Sequence, residues 1–250
     1  MMNNPFSLEN KTILITGASS GIGKATAILC AQMGAKLILT GRTESKLNEV
    51  FDSLSGKCHQ KIVLDFENEN AIIDLVAMVN MLDGIVHSAG ILETIPLAFT
   101  NSEKLSRIMR INFEVPFVIT QQLLKAKKFN KDTSIVFVSS LSGYSTVASG
   151  ISAYSASKGA ISASIRVMAL ELASKRIRVN AVCPGMVNTE MNSENDSLTK
   201  AQLLEDEKRN YLLGYGTSKQ IASSIAFLLG EGSSWITGTN LVIDGGASIH

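Results

Sequence analysis

Short apolar runs rich in β-branched residues alternate along this chain with longer segments of mixed polarity. Thr12–Thr16 (TILIT), Lys36–Thr40 (KLILT), Lys61–Leu64 (KIVL), Gly84–His87 (GIVH), Ser134–Ser139 (SIVFVS), Ile177–Val182 (IRVNAV) and Asn240–Ile243 (NLVI) predict strands. Most lack period-two alternation, as expected of strands covered on both faces. Helix-length stretches fill the intervals at 21–33, 44–54, 67–80, 102–128, 152–174 and 218–229. Gly34 stands where a C′ glycine would end the first of these, and Thr217 with Gln220 fits a capping box opening the last. Strands alternating with helices imply βαβ units: one α/β domain over 1–250, with a doubly wound parallel sheet of about seven strands. Residues 186–216 break the rhythm. They are polar first (NTEMNSENDSLTK) and helix-like afterwards (KAQLLEDEKRNYLL), which predicts either a lid over a site or a disordered loop. Met186, Met191, Leu198, Leu203, Leu204 and Tyr211 would give that lid an apolar face.

The first strand runs directly into Thr16-Gly17-Ala18-Ser19-Ser20-Gly21-Ile22-Gly23, where the first helix begins. A glycine turn at that junction is a phosphate cradle. Gly17 permits the tight turn, Gly21 lets the backbone approach a pyrophosphate, and Gly23 lets helix and strand pack closely. The free amides and positive end of the helix then face the phosphates. After the second strand come Thr40-Gly41-Arg42. An acid at this place would bind a ribose 2′-hydroxyl, whereas an arginine fork suits a 2′-phosphate, so the pattern favours NADP over NAD. Ser20 counts against this preference, since many NADP enzymes carry a second basic residue near that position.

Tyr154-Ser155-Ala156-Ser157-Lys158 places a tyrosine and a lysine four apart in a helical stretch, hence on one helix face. A neighbouring ammonium stabilises a phenolate, which brings a tyrosine closer to the proton-transfer range. Ser140 lies fourteen residues upstream, just after a buried strand.

Together these residues resemble the short-chain dehydrogenase/reductase family, from about Leu8 to Gly246. The likeness rests on Thr16–Gly23 as TGxxxGxG, Asn112 in RINFEVPF, Ser140, Tyr154 and Lys158 as YxxxK, Pro184-Gly185 with Val187 and Thr189 as PGxVxT, and Thr237–Gly246 as TGxxxxxDGG. It implies a Rossmann-type fold and carbonyl–alcohol oxidoreduction with a nicotinamide cofactor. Tyr154 would relay the proton, Ser140 polarise the substrate oxygen, Lys158 lower the Tyr154 pKa and hold the ribose, and Asn112 hold a water. Gly17, Ser19, Ser20, Gly21, Ile22, Gly23, Arg42, Asp65, Phe66, Ser88, Ala89, Gly90, Pro184, Gly185, Val187 and Thr189 would bind cofactor, with Asp65 at the adenine amine. The family's NNAG is His87-Ser88-Ala89-Gly90 here, and His87 reads as a structural replacement for an asparagine. The Ser140–Tyr154 interval is one residue longer than the family's usual one, so Leu141–Ala153 is expected to bulge. Ser139 and Ser142 are the weaker candidates for the place of Ser140. Tyr215–Lys219 departs from the family's usual segment.

The resemblance makes a 3-oxoacyl thioester the first substrate candidate, with sugars, polyols and other small ketones as alternatives. A dinucleotide-sensing protein without catalysis is the competing class, but such a protein would often have lost the tyrosine or lysine. An epimerase would need a C-terminal substrate domain for which 250 residues leave no room. Two basic groups, Lys125, Lys127, Lys128 and Lys131, and Lys175, Arg176 and Arg178, could meet an acidic carrier protein but read first as solvated helix ends. A homotetramer is expected from the family, with 102–128 and 152–174 at one interface.

Composition narrows the remaining classes. Twenty-three basic and 22 acidic residues leave a net charge of +1, so no global field draws nucleic acid or an anionic membrane. Cys30, Cys58 and Cys183 are scattered, with no CxxC or Cys/His group to suggest a metal site. The expectation is a cytoplasmic protein with no signal peptide and no apolar run near the roughly 20 residues of a membrane span.

Overall fold

A computed structural model of the chain describes residues 4–193 and 199–249. In chain order its elements are β1 (Thr12–Thr16), α1 (Gly21–Gln32), β2 (Lys36–Gly41), α2 (Glu44–Asp52), β3 (Gln60–Val63), α3 (Ala71–Met78), β4 (Leu82–His87), α4 (Ser102–Met109) and α5 (Val115–Lys125). There follow β5 (Phe129–Val138), α6 (Ser152–Leu172), β6 (Arg178–Pro184), β7 (Val187–Asn188), α7 (Glu190–Ser193), α8 (Lys200–Asn210), β8 (Gly216–Thr217), α9 (Ser218–Leu229) and β9 (Asn240–Ile243). Seven strands form a parallel sheet in the order β3-β2-β1-β4-β5-β6-β9, as expected of a doubly wound fold. The chain winds outward from β1 to β3, then returns beside β1 and winds the other way. That reversal opens a crevice beyond the carboxyl ends of β1 and β4, the usual ligand position in such sheets.

Both faces of the sheet are buried, which explains the continuous apolar runs. Leu14, Ile85, Ile135 and Phe137 face one way, against Ile119 and Leu123 of α5 and Ile161 and Ile165 of α6. Ile13, Ile15, Val86 and Val136 face the other way, against Ala27 and Cys30 of α1 and Ile221 and Ile225 of α9. Each of the branched and aromatic side chains among these contributes roughly 1.5–3 kcal/mol by leaving water.

The observed elements depart from expectation where side chains or a proline interrupt a periodic pattern. Residues 67–70 are a turn and α3 begins only at Ala71. There the Asp65 carboxylate accepts the Glu67 amide and Asn68 Oδ1 accepts the Asn70 amide, offering the backbone an alternative to a helix. The 102–128 stretch is broken by a π-turn at Arg110–Glu114 between α4 and α5. Pro116 explains the break, because it brings no N–H for the carbonyl four residues earlier and its ring crowds that carbonyl. β5 begins five residues earlier than the apolar pattern suggested, with a register irregularity opposite Leu82 and Gly84.

Gly34 ends α1 as expected. Its φ is +92°, its amide donates to Ala31 and that of Ala35 to Cys30, the two bonds of a Schellman turn. The Thr217–Gln220 capping box is formed in both directions. The 186–216 segment is more ordered than a loop, since it carries the small β7–β8 pair and α8, which Thr199 and Gln202 cap as a second box. Leu198, expected on its apolar face, lies outside the described residues.

Candidate active site

At the carboxyl end of β1 the chain turns so tightly that side chains would not fit. Gly17 has φ +66°, and a Cβ there would stand 2.7 Å from the Ala89 backbone. A Cβ on Gly23 would reach 2.1 Å from the Gly17 carbonyl oxygen, so this glycine seats α1 against the turn. Gly21 differs: at φ +51° its Cβ position is open except for Thr189 at 3.6 Å, leaving backbone exposed to the crevice. Thr16 secures the opposite wall, its hydroxyl accepting the amides of Ser88 and Ala89. Ser20 occupies the N-cap of α1 without a side-chain cap bond among the described residues, and the first turn holds no acid. An anion would therefore meet the amides and positive end of α1 directly. This glycine-lined cradle fits a dinucleotide pyrophosphate.

A cleft of about 1880 Å³ runs from this cradle across the sheet edge. Gly17, Ser19, Ser20, Gly21, Ile22, Arg42, Asp65, Phe66, Ser88, Ala89, Gly90, Ser140, Tyr154, Lys158, Pro184, Gly185, Val187 and Thr189 all line it. Of the expected residues only Gly23 and Asn112 stand behind the wall, each supporting a glycine in front of it.

The far end of the cleft gathers the titratable residues. Tyr154 and Lys158 share one face of α6, with the lysine Nζ 5.7 Å from the tyrosine ring centre. Lys158 is 5% exposed and donates to the Val138 carbonyl at 2.8 Å, and burial lowers its ammonium to about 8. Burial likewise raises the Tyr154 phenol, while a hydrogen bond with Ser140 draws it partly back. Asn112, carried inward by the π-turn, accepts the Ile91 amide at 2.8 Å and donates to the Ile91 carbonyl and Ser157 Oγ. A Cβ on Gly90 would sit 3.2 Å from Asn112 Oδ1 and 3.5 Å from Lys158 Nζ, so asparagine and lysine flank this glycine.

The neighbouring serines separate cleanly. Ser139 is buried and its hydroxyl donates to the Lys158 carbonyl, fixing α6 to β5. The Ser142 amide donates to Ser140 Oγ. Beyond Ser140 the chain forms a 3₁₀ turn at Leu141–Gly143 and then projects outward, with Val147 96% exposed. His87 is structural in its contacts. Nε2 lies 2.9 Å from Thr120 Oγ1, and that hydroxyl donates onward to the Pro116 carbonyl, so the histidine proton sits on Nε2. The ring stacks on Phe137, and Nδ1 has no hydrogen-bond partner among the described residues. Burial lowers this imidazole to about 3, which keeps it neutral.

Of the two basic groups, several members are engaged within the fold. Arg178 donates to the carbonyls of Ile236, Leu228 and Gly230, Arg176 pairs with Asp132, and Lys128 donates to the Val79 carbonyl. Sequence reasoning missed the charges that cross the cleft mouth. Lys46 on α2 pairs with Glu190 on α7, 144 residues away, and Glu67 pairs with both Arg42 and Arg107. No local signal could have joined partners so far apart. Tyr211 was legible only as an apolar lid residue, but its hydroxyl accepts the Met186 amide beside Pro184-Gly185.

A doubly wound parallel sheet, with a phosphate cradle at its switch point and a Tyr–Lys pair facing the same cleft, defines a dinucleotide-dependent oxidoreductase architecture. A family model described as Enoyl-(Acyl carrier protein) reductase matches residues 17–248. The 3-oxoacyl-(acyl-carrier-protein) reductase FabG of Rickettsia bellii is 32% identical over 96% of this chain and 97% of its own length. The glucose 1-dehydrogenase of Gluconobacter oxydans is 34% identical over 96% and 92%. Among solved structures, a short-chain dehydrogenase/reductase described as glucose/ribitol dehydrogenase from Brucella melitensis superposes with a TM-score of 0.90, at 33% identity over 98% and 99% of the two chains. One from Beutenbergia cavernae, described as a putative NAD(P)-dependent gluconate 5-dehydrogenase with bound NADP, gives 0.88 at 26% identity over 99% and 100%. The chain belongs to the short-chain dehydrogenase/reductase family and is an oxidoreductase acting on CH–OH groups.

Proposed function

We propose that this enzyme interconverts a carbonyl and a secondary alcohol with NADP(H), using Tyr154 as the general acid and base. The observation that carries the reading is the convergence of Ser140 and Lys158 on one half-buried phenol. The nicotinamide supplies or accepts the hydride when bound. Ser140 holds the substrate oxygen against the Tyr154 hydroxyl, and Tyr154 hands its proton to that oxygen during reduction. Desolvation alone makes ionisation of Tyr154 costly, so the ammonium of Lys158 is needed to stabilise the phenolate left behind. The same ammonium reaches the ribose hydroxyls. Asn112, flanking Gly90 opposite Lys158, holds a water that continues the proton path. Gly17 to Gly23 cradle the pyrophosphate, Asp65 and Phe66 border the adenine, and Pro184 to Thr189 border the nicotinamide amide. Arg42, 61% exposed and not followed or preceded by an acid, takes the 2′-phosphate.

The first substrate candidate is a 3-oxoacyl thioester, supported by the FabG relatives and by the apolar Met186, Leu203 and Tyr211 along the cleft. A sugar or polyol is the second, favoured by the hydroxyl side chains Ser142, Ser145, Thr146 and Ser149 that line the same cleft. The internal engagement of Arg178 and Lys128 reduces the case for a carrier-protein docking patch there.

The test is Tyr154→Phe, which removes the transferable proton and little else. Turnover of a substrate found in a panel of 3-oxoacyl thioesters, sugars and diketones should fall by about 10²–10⁴, with NADPH affinity by fluorescence titration preserved. Turnover at the parent rate would reject the mechanism.

A further inference from the structure

Four charged residues from three different strand-to-strand connections meet at the adenosine end of the cleft. Arg42 follows β2, Glu67 follows β3, Glu93 follows β4, and Arg107 lies on α4. Arg107 donates to Glu67 Oε1 through Nη2 at 2.7 Å and through Nε at 3.2 Å, and its Nη1 bonds Glu93. The same Glu67 oxygen stands 3.8 Å from Arg42 Nη1. Glu67 is thus held firmly from one side and touches Arg42 loosely from the other. Arg42 and Glu67 both line the cleft, together with Asp65 and Phe66 where the adenine reading places the base.

We propose that Glu67, tuned by Arg107, sets how strongly this enzyme distinguishes a 2′-phosphate from a 2′-hydroxyl on the adenosine ribose. The proposal rests on the dinucleotide reading and deepens it. A 2′-phosphate must take Arg42 from Glu67 and then sit beside the fixed carboxylate. A 2′-hydroxyl needs neither Arg42 nor distance from a negative charge. Arg107 lessens the penalty on phosphate, because the two bonds it donates draw the carboxylate and its charge away from Arg42. Without Arg107, Glu67 would turn its full charge on Arg42 and on any phosphate there. All these groups are partly solvated, so the effects are modest. Exposed pairs of this kind are worth up to about 1 kcal/mol, or about fivefold in a binding constant.

The experiment measures calorimetric Kd values for 2′,5′-ADP and 5′-AMP on the parent, Glu67→Gln, Arg107→Leu and Arg42→Ala. Glu67→Gln is nearly isosteric, and it should raise the preference for 2′,5′-ADP by about twofold to fivefold while leaving 5′-AMP unchanged. Arg107→Leu should lower that preference. Both variants break the same Glu67–Arg107 pair, so a merely structural role for the pair would move both the same way. An unshifted ratio in Glu67→Gln, or shifts of the same sign in both variants, would overturn the proposal. The change on Glu67→Gln is read from the ratio, whichever fragment the parent prefers. An Arg42→Ala variant with the parent's ratio would instead reject the assignment of the 2′-phosphate to Arg42.

Discussion

His87 and Lys158 are both basic and both buried, yet burial leaves them in opposite charge states near neutral pH. Lys158 comes down to about 8, so it remains protonated at pH 7 and can serve Tyr154, and it loses its charge above that value. His87 comes down to about 3 from 6.5, so the native state holds it neutral while the unfolded chain can protonate it. Its contribution to stability is therefore fully present above about pH 6.5 and is lost as the pH falls toward 3. Between pH 6.5 and 5 this single group should cost the protein about 1.5 kcal/mol. Urea unfolding of the parent and of His87→Gln across that range checks it: the parent's stability should fall more steeply by that amount. Parallel pH slopes would mean that the native histidine titrates normally. The residue type and its place at a strand end were legible in the sequence. Its neutrality and its Nε2 proton follow from Thr120 and Phe137, which only the fold brings to it.

Two capping boxes show how the same local signal carries different weight in different elements. Thr217 and Gln220 open α9, which packs Ile221, Ile225 and Leu228 into the core. Thr199 and Gln202 open α8, whose described side chains are exposed or only partly buried. Thr217→Ala should lower global stability by about 1 kcal/mol in urea unfolding, because α9 cannot leave without opening the core. Thr199→Ala should leave the global midpoint unchanged and instead speed amide exchange within α8. Equal global losses in the two variants would show that α8 unfolds only with the rest of the protein. Both T-x-x-Q patterns are plain in the chain, but only Thr217–Gln220 leads into a strongly apolar run that draws attention to it. The π-turn before α5 is of the opposite kind. Pro116 signals a break near 112, while the inward aim of Asn112 depends on Ile91 and Ser157 being there to receive it.

At the scale of the whole molecule, apolar side chains remain on the outer faces of the helices expected at an interface. Val167 and Leu170 on α6 are 57% and 79% exposed, and Leu105 on α4 and Phe117 on α5 add to the same class. Val167 and Leu170 are three residues apart, hence neighbours on one helix face. We expect a homotetramer in solution, with light scattering giving about four times the chain mass of 26.8 kDa. Val167→Asp together with Leu170→Asp should shift the protein to smaller species that still bind NADPH. A monomeric parent at micromolar concentration would reject the assembly.

The glycine cradle, the Tyr154–Lys158 pair, the helix caps and the alternation of strands and helices were determined by the sequence alone, because each depends on spacings of one to five residues or on apolar runs. The strand order that opens the crevice, the bond from Ser139 to the Lys158 carbonyl, and the charge chain from Arg42 to Glu93 were decided by tertiary structure. Those features join groups from separate connections, and their energies depend on burial and distance, which no single stretch of sequence contains.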